Sequence, residues 1–272
     1  VSSISVIVQG SYTIKENSSV KLEQKTYTVK VQNGSLVLTD GSNSWNLGSK
    51  FTFKRNDGNL RIKNSAYGWL NYLGDMEVRV NGSCILLINE IHLELYLYGV
   101  VPYEMSDSWP LEALKAQAVA ARTYAANKIR ANQDYALVDN EYDQVYKGYS
   151  SSNSRSIQAV DATRGQVLKY NGSFAETFYS SSNGGLTERA GNIFSSDRPY
   201  LKVQQDDMDL NSANPNRSWT VTYYKTPVDA NLQARLKSND SYIKNYLKNK
   251  GYNTTDFNIK SIKELRVDKY TS

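Results

Sequence analysis

The spacing of apolar residues changes near Gly99, and that change limits the folds open to this chain. Before Gly99, short runs of Val, Ile, Tyr and Phe alternate with polar residues, as is typical of half-buried strands. From residue 99 to residue 130, apolar residues recur every three or four positions, as is typical of a helix. The order predicts an α+β fold with a β-rich N-terminal region and a central helix.

Six runs in the first part predict strands, and turn dipeptides separate several of them. The runs cover residues 25–31, 35–39, 51–53, 60–62, 77–80 and 84–98. The dipeptides are Asn33-Gly34, Asp40-Gly41, Asp57-Gly58 and Asn81-Gly82. Asn-Gly and Asp-Gly between alternating runs are the strongest short-range signals of a β-hairpin, so we expect hairpins at these turns.

The central helix is rich in alanine. Pro110 suits the first helical turn, and Asp107 or Ser108 can cap it. The apolar face is formed by Leu111, Leu114, Ala118, Ala121 and Ala125. Small side chains on this face let another element approach closely, while Glu112, Lys115 and Arg122 are expected to point elsewhere.

The rest of the chain predicts mixed structure. Apolar runs at 166–170 and 174–179 flank Asn171-Gly172 and predict a further hairpin, followed by a polar loop at 180–185. Helices are expected from 226 to 237 and from 241 to 250, and a strand from 259 to 267. We therefore expect three regions: a β-rich region at 1–84, a catalytic core at 85–205, and a C-terminal α/β region at 206–272, which is either cut short or ends naturally there.

Composition limits the chemistry. Cys84 and His92 are the only cysteine and histidine, which rules out an intrachain disulfide and argues against a His/Cys metal site. We expect Cys84 in the core and His92 on a strand, with no metal and no cofactor. The net charge of +5 suits an acidic partner such as a wall polymer, or reflects only surface lysines. Basic and aromatic residues are not clustered, so no nucleic-acid partner is expected.

The sequence contains no membrane-spanning stretch of roughly 18 apolar residues. The chain begins at Val1 rather than at a methionine, which suggests a mature or trimmed form. A removed signal peptide or an N-terminal anchor is compatible with this start.

Glu104 is the candidate catalytic residue. It follows the apolar approach Val-Val-Pro-Tyr and precedes the helix that carries Gln117, Arg122 and Tyr124. Partial burial raises the pKa of a carboxyl group towards neutrality, where it can donate and then accept a proton. The pattern alone also fits a solvated or capping acid.

Several ordered blocks between about residues 85 and 205 resemble the SpoIID/LytB family. They are LELYLYGVVPYEM and WPLEALKAQAVAARTYA within 93–125, DQVYKGY at 143–149, AVDATRGQVL at 159–168, and FYSSSNGGLTE at 178–188. The sequence on either side of these blocks is less similar to the family. Several blocks in the right order are more specific than one short motif.

The resemblance implies a peptidoglycan lytic transglycosylase in which Glu104 is the acid of the VPxEM motif. Hydrolytic glycosidases usually need two carboxylates, whereas a lytic transglycosylase needs one because the C6 hydroxyl of the muramic acid attacks the anomeric carbon. The implied substrate-binding residues are Gln117, Arg122, Tyr124, Gln144, Tyr146, Tyr179, Ser180, Ser181, Ser182, Gly184 and Gly185. Tyr179 and the loop at 180–185 would line a glycan groove shared with Glu104.

Other interpretations stay open at this point. Arg122 can instead form a structural ion pair with Glu112 or Asp161, and Tyr146 and Tyr179 can be half-buried strand tyrosines. The His/Cys zinc cluster of some sporulation-type members is absent from 135–144. A wall protein outside the membrane that stimulates an amidase without cleaving glycan is the second functional hypothesis, and a cell-wall amidase is then an expected partner.

Overall fold

The computed structural model describes residues 1–130, 133–194, 196–218, 230 and 247–251. The strands are β1 (Ser3–Gln9), β2 (Tyr12–Ile14), β3 (Thr26–Gln32), β4 (Ser35–Thr39), β5 (Ser44–Asn46), β6 (Lys50–Arg55), β7 (Asn59–Asn64), β8 (Gly68–Tyr72), β9 (Asp75–Asn81), β10 (Cys84–Glu90), β11 (Lys169–Tyr170) and β12 (Ser173–Phe174). The helices are α1 (Leu93–Leu97), α2 (Val101–Glu104), α3 (Leu111–Lys128), α4 (Ser154–Ala162) and α5 (Ala190–Ile193). The α+β class and the β-rich N-terminal region are confirmed.

The chain divides into two compact units, Val1–Phe178 and Tyr179–Ser272. Glu104 and the helices α1–α4 belong to the first unit, and the polar loop at 180–185 belongs to the second. The three predicted regions, with borders at 84/85 and 205/206, stay a prediction.

Two antiparallel sheets form the β-rich part of the first unit. One has the order β5-β4-β3-β1-β7-β8 and the other the order β10-β9-β6-β2. Alternate residues of each strand face a shared core, as the period of two requires. The fully buried members of this core include Val6, Val29, Leu36, Leu38, Phe51, Phe53, Leu60 and Val78.

Three of the four predicted hairpins are confirmed. Asn33-Gly34 joins β3 to β4, the Asp40-Gly41 loop joins β4 to β5, and Asn81-Gly82 joins β9 to β10. The fourth prediction is wrong, because Asp57-Gly58 connects strands of different sheets. Gly58 has φ +75°, and a Cβ there would lie 2.0 Å from the backbone oxygen of Gln9, so this glycine permits a close backbone crossing.

The predicted strand at 84–98 is too long. β10 ends at Glu90, and α1 begins at Leu93 after His92, whose Nδ1 accepts a hydrogen bond from the Glu94 amide at 3.3 Å. His92 is thus a helix cap and not a strand residue. Leu93, Leu97 and Val100 also fit helical spacing, so alternation alone misled here. Cys84 is exposed at the start of β10, so its predicted burial is wrong as well.

The helix α3 has the predicted apolar face, with Leu114, Ala118, Ala121 and Ala125 fully buried. These residues form a second core with Leu97, Val100, Val101, Ala159 and Val160 of the neighbouring helical segments. The predicted side-chain cap is absent, because neither Asp107 nor Ser108 binds the start of α3. The Asp107 carboxylate instead accepts from the Ser156 amide in the first turn of α4, at 2.7 Å.

The hairpin predicted around Asn171-Gly172 is confirmed in a shorter form. β11 and β12 pair across Asn171 and Gly172, which have φ +48° and φ +81°. The predicted helices at 226–237 and 241–250 lie almost wholly outside the described residues, and the strand at 259–267 lies entirely outside them. None of the helices in the described part of the chain has the length and apolar character needed to span a membrane.

Candidate active site

Glu104 lies at the end of the single-turn helix α2. Val100 and Val101 are fully buried beneath this turn, and Pro102 lies in its first turn, where proline is tolerated. The amides of Glu104 and Met105 bond back to the Val100 and Val101 carbonyls, both at 3.0 Å. The apolar approach seen in the sequence therefore anchors the turn and leaves Glu104 half-buried at its end.

The carboxyl group of Glu104 is held on one side. Its Oε1 accepts a hydrogen bond from the backbone amide of Val145 at 2.7 Å. Burial raises the pKa of Glu104 above its usual value, and this hydrogen bond opposes the rise without cancelling it. Among the described residues, no group donates to Oε2. The arrangement fixes the carboxyl group and leaves one oxygen available for proton transfer.

Val145 belongs to a segment, residues 143–149, that we call the anchor segment. Its Lys147 amide donates to the Gly99 carbonyl at 3.1 Å, and its Tyr149 amide donates to the Asn71 carbonyl at 2.7 Å. Gly148 has φ +68°, and a Cβ there would lie 2.1 Å from the Asn71 oxygen. The anchor segment therefore packs closely against β8 and positions the Val145 amide beneath Glu104.

Gln144 and Tyr146, two predicted substrate contacts in the anchor segment, are buried. Gln144 accepts from the Tyr96 hydroxyl at 3.2 Å and donates to the Ala121 carbonyl at 3.3 Å. The Tyr146 hydroxyl donates to Asn89 Oδ1 at 2.7 Å, and its ring packs against the ring of Tyr96. These contacts give both residues a structural role. Tyr146 is buried and lies outside any strand, so it is not the half-buried strand tyrosine of the alternative interpretation.

Arg122 is also buried, with 1% of its surface exposed. Its guanidinium forms a bidentate pair with Glu94, with an Nη2–Oε2 distance of 2.7 Å. It also donates to the carbonyls of Val160 and Gln166. Arg122 therefore forms a structural ion pair, but with Glu94 and not with the predicted Glu112 or Asp161, and a role in substrate binding stays a prediction.

Both acids proposed as partners of Arg122 have other contacts. Glu112 pairs with Lys115 at 2.7 Å, and Asp161 accepts from the Tyr98 hydroxyl at 2.6 Å. Burial alone would raise the pKa of Glu94, but hydrogen bonds from Arg122 and Gly165 outweigh it and lower that pKa.

Tyr124 contributes to the fold of the loop that precedes the anchor segment. Its hydroxyl donates to Asp143 Oδ1 at 2.9 Å, and Lys128 pairs with the same oxygen at 3.1 Å. Asp143 Oδ2 accepts from the Val138 amide. Tyr124 is half-buried, so this contact leaves part of the ring accessible.

Gln117 differs from the other predicted contacts on α3. It is 7% exposed, and its Nε2 makes no hydrogen bond to any described residue. A buried donor of this kind is usually satisfied by an ordered water or a ligand. Gln117 therefore stays a candidate for substrate contact.

The loop at 180–185 belongs to the second unit and is organised by an acid that the sequence did not single out. Asp209 Oδ2 accepts from Ser182 Oγ at 2.6 Å and from the Asn183 and Gly184 amides at 3.0 and 2.7 Å. The Ser182 hydrogen bond and these amides hold the pKa of Asp209 below its usual value. The Asn183 and Gly184 amides thus already have an acceptor, and a groove shared by this loop and Glu104 stays a prediction.

Three residues near Glu104 were not predicted as site residues. The Lys147 ammonium lies over the ring of Tyr67, 4.0 Å from its centroid, and 5.3 Å from the centroid of the Tyr103 ring. Tyr103 directly precedes Glu104, whereas Tyr67 comes from the β7–β8 loop. The sequence shows that Tyr103 is adjacent to Glu104, but no local sequence feature places Tyr67 near Lys147.

In the described part of the chain, no group of three or more His, Cys, Asp or Glu side chains is arranged to hold a metal ion. His92 caps α1 and Cys84 begins β10. The expectation of a metal-free site stays a prediction.

The part of the sequence that contains Glu104 is similar to that of known proteins. Residues 81–170 match the family model SpoIID, described as stage II sporulation protein. The chain is 42% identical over 183 residues to the amidase enhancer of Bacillus subtilis (strain 168). This alignment covers 62% of this chain and 24% of that protein. It is 43% identical over 136 residues to an uncharacterized protein of Brachyspira hyodysenteriae, covering 48% and 37% of the two chains.

A third relative is the stage II sporulation protein D of Bacillus subtilis (strain 168), 31% identical over 166 residues, covering 55% of this chain and 48% of that protein. The chain thus spans between about a quarter and about a half of the length of these curated relatives. The resemblance to the SpoIID family is confirmed, and the region at 81–170, which contains Glu104 and the anchor segment, is where this chain matches the family.

Proposed function

We propose that this protein is a lytic transglycosylase that cleaves the MurNAc–GlcNAc glycan strand of peptidoglycan and forms 1,6-anhydroMurNAc ends. The observation that carries the proposal is the state of Glu104, which is half-buried, with a raised pKa and one carboxyl oxygen held by Val145. A general acid works best when its pKa lies near the operating pH. The match of 81–170 to the SpoIID family supports the same assignment.

In the proposed reaction, protonated Glu104 donates its proton to the glycosidic oxygen as the bond from that oxygen to C1 of MurNAc breaks. The resulting carboxylate then accepts the proton of the C6 hydroxyl, whose oxygen bonds to C1. The proton returned to Glu104 equals the proton donated, and no water is consumed. One carboxyl group therefore suffices, because the nucleophile belongs to the substrate.

Two further groups are proposed to contact the strand. The buried Nε2 of Gln117 would donate to a sugar oxygen, since it has no partner among the described residues. The ring of Tyr179 and the hydroxyls of Ser180 and Ser181 would also contact the glycan strand. Because Asp209 already binds the amides of the loop, the side chains of the loop would provide these contacts.

The second candidate function is stimulation of a cell-wall amidase without glycan cleavage. It is favoured by the 42% identity to a protein named amidase enhancer over 62% of this chain. In this case the surface around Glu104 would bind glycan or the amidase, and proton transfer would play no part. Both functions place the protein outside the membrane, at the cell wall, with peptidoglycan as its partner.

One experiment separates the two functions. Purified glycan strands and intact peptidoglycan are incubated with the protein alone, with an amidase alone, and with both. We expect 1,6-anhydro ends whenever this protein is present, with or without the amidase. Faster release of stem peptides in the mixture, with no anhydro ends in any reaction, would instead establish the amidase-enhancing function.

A further inference from the structure

We propose that Tyr67, Lys147 and Tyr103 form a sugar-binding subsite beside Glu104, and that the β-rich region contributes to it through Tyr67. This inference rests on the proposed function, because it takes an N-acetylated hexosamine of the glycan strand as its ligand. Tyr67 lies outside the region at 81–170 that matches the SpoIID family.

The backbone holds both key side chains in place. Asn64 Oδ1 accepts from the Ala66 and Tyr67 amides at 2.8 and 3.1 Å, which shapes the short loop between β7 and β8. Lys147 lies in the anchor segment, between the hydrogen bonds of Val145 to Glu104 and of Tyr149 to Asn71. Both side chains thus extend from fixed backbone, as a preorganised binding site requires.

The ammonium of Lys147 lies close to the rings of Tyr67 and Tyr103. It makes no ion pair and no hydrogen bond with any described residue, although Asp139 and Glu141 line the same cavity. Its donors are therefore available to a ligand. The rings remain open as well, since Tyr67 is 58% exposed and Tyr103 is 38% exposed.

The cavity has a volume of about 150 Å³ and is lined in part by Asn64, Tyr67, Asp139, Asn140, Glu141 and Lys147. Pockets that enclose drug-sized ligands measure roughly 300–1,000 Å³, so this one suits a single ring and not a longer segment. It lies next to the catalytic residue, because Val145 both lines it and binds Glu104.

The mixture of groups identifies the ligand class. Lys147 supplies donors, and the carboxylates of Asp139 and Glu141 supply acceptors. Those two carboxylates would repel an anion such as a phosphate. A neutral sugar has hydroxyls that both donate and accept, and a C–H face that can pack on an aromatic ring. An N-acetylated hexosamine satisfies these requirements, so Tyr67 and Lys147 would position the strand for cleavage at Glu104.

The test measures binding in the Glu104→Gln background, where the strand is not cut. The probes are purified glycan strands without stem peptides, strands with stem peptides, and a tetrasaccharide of N-acetylglucosamine. We expect Tyr67→Ala and Lys147→Met each to weaken binding of all three probes by about five- to tenfold, the loss expected when one ring or cation contact is removed. Tyr142→Ala is the matched control, because Tyr142 is 86% exposed and does not line the cavity.

A second readout uses the Glu104 enzyme, in which the same two substitutions should raise KM for glycan strands. If the Tyr67→Ala and Lys147→Met variants bind strands as tightly as the Tyr142→Ala variant does, the subsite is refuted. Cleavage by the unsubstituted protein would still support the proposed transglycosylase function. If the two substitutions weaken binding but the protein with Glu104 does not cleave glycan strands, the subsite stands and the transglycosylase function fails. A loss confined to strands with stem peptides would show that the cavity binds peptide and would overturn the sugar assignment.

Discussion

The backbone amide of Val145 donates to Oε1 of Glu104 across 2.7 Å. This bond joins the end of α2 to the anchor segment, and the anchor segment is in turn bonded to Gly99 and Asn71. Rigid support of this kind keeps a proton-transfer group within the narrow range of positions that catalysis needs.

Glu104→Gln is expected to abolish glycan cleavage with little effect on the fold. The amide oxygen of glutamine can still accept from Val145, but the side chain cannot donate and recover a proton. Because a general acid contributes roughly 10²–10⁴-fold, the rate on purified strands should fall at least about 100-fold. Circular dichroism and thermal unfolding check that the variant is folded, and full activity in a folded variant would refute the role of Glu104.

The raised pKa of Glu104 predicts how the stability of the folded protein depends on pH. Burial raises the pKa of Glu104 in the folded protein, so the folded state binds a proton more tightly than the unfolded state, whose pKa is about 4.3. The stability of the natural protein relative to Glu104→Gln should therefore fall as pH rises from below about 4.3 through the folded pKa. Tm values of both proteins measured from pH 4 to pH 8 test this, and an advantage of the natural protein that grows with pH would contradict it.

Arg122 is expected to be essential for stability. Arg122→Met leaves the Glu94 carboxylate buried without its partner, and breaking a buried ion pair costs about 3–5 kcal/mol. Urea unfolding at neutral pH measures the loss. Because the folded pKa of Glu94 is lowered, the contribution of the pair is present above the unfolded pKa and is lost as pH falls through the folded one.

Lys115→Met is the matched control for Arg122, since it breaks an ion pair with Glu112 on the exposed side of the same helix. Such surface pairs are worth about 0–1 kcal/mol. Equal effects of the two substitutions would show that Arg122 is not the buried support described above, and would reopen a role for it in substrate binding.

Tyr179→Ala tests the proposed contact of Tyr179 with the glycan strand. We expect weaker binding of glycan strands and nearly unchanged thermal stability, because Tyr179 is proposed to offer its ring to a sugar. Binding is measured with Glu104→Gln as the parent protein so that the strands stay intact. A large loss of stability would instead identify Tyr179 as a structural tyrosine and remove it from the substrate contacts.

The protein is expected to contain no stoichiometric zinc. Its only histidine caps a helix and its only cysteine begins a strand, so neither belongs to a ligand cluster within the described residues. Elemental analysis of protein purified without a metal-affinity tag measures the content. One tightly held zinc per chain would show that carboxylates form a metal site that we have missed.

Local features of the fold could be predicted from the sequence because they depend on neighbouring residues. The strand at 35–39 and the turn at Asn33-Gly34 follow from alternation and from the left-handed backbone of these turn residues. The apolar face of α3 follows from helical spacing. The half-buried state of Glu104 follows from the two valines that precede it in the chain.

Features that depend on distant residues could not be predicted. Nothing near Arg122 points to Glu94, which lies on another helix and pairs with it only after the helices pack. The family resemblance implies that Gln144 binds substrate, yet its amide is buried and is bonded to Tyr96 and Ala121, two residues that are distant in the chain. Tyr67 reaches Lys147 only because β8 packs against the anchor segment.

Mass spectrometry of the products from purified glycan strands, treated with the natural protein or with Glu104→Gln, tests the proposed role of Glu104 directly. We expect fragments that end in 1,6-anhydroMurNAc from the natural protein, and none above background from the variant. Fragments with ordinary reducing ends would show hydrolysis by water, and no fragments from the natural protein would show that it does not cleave glycan. Either result would contradict the assignment of Glu104 as the acid/base of a lytic transglycosylase.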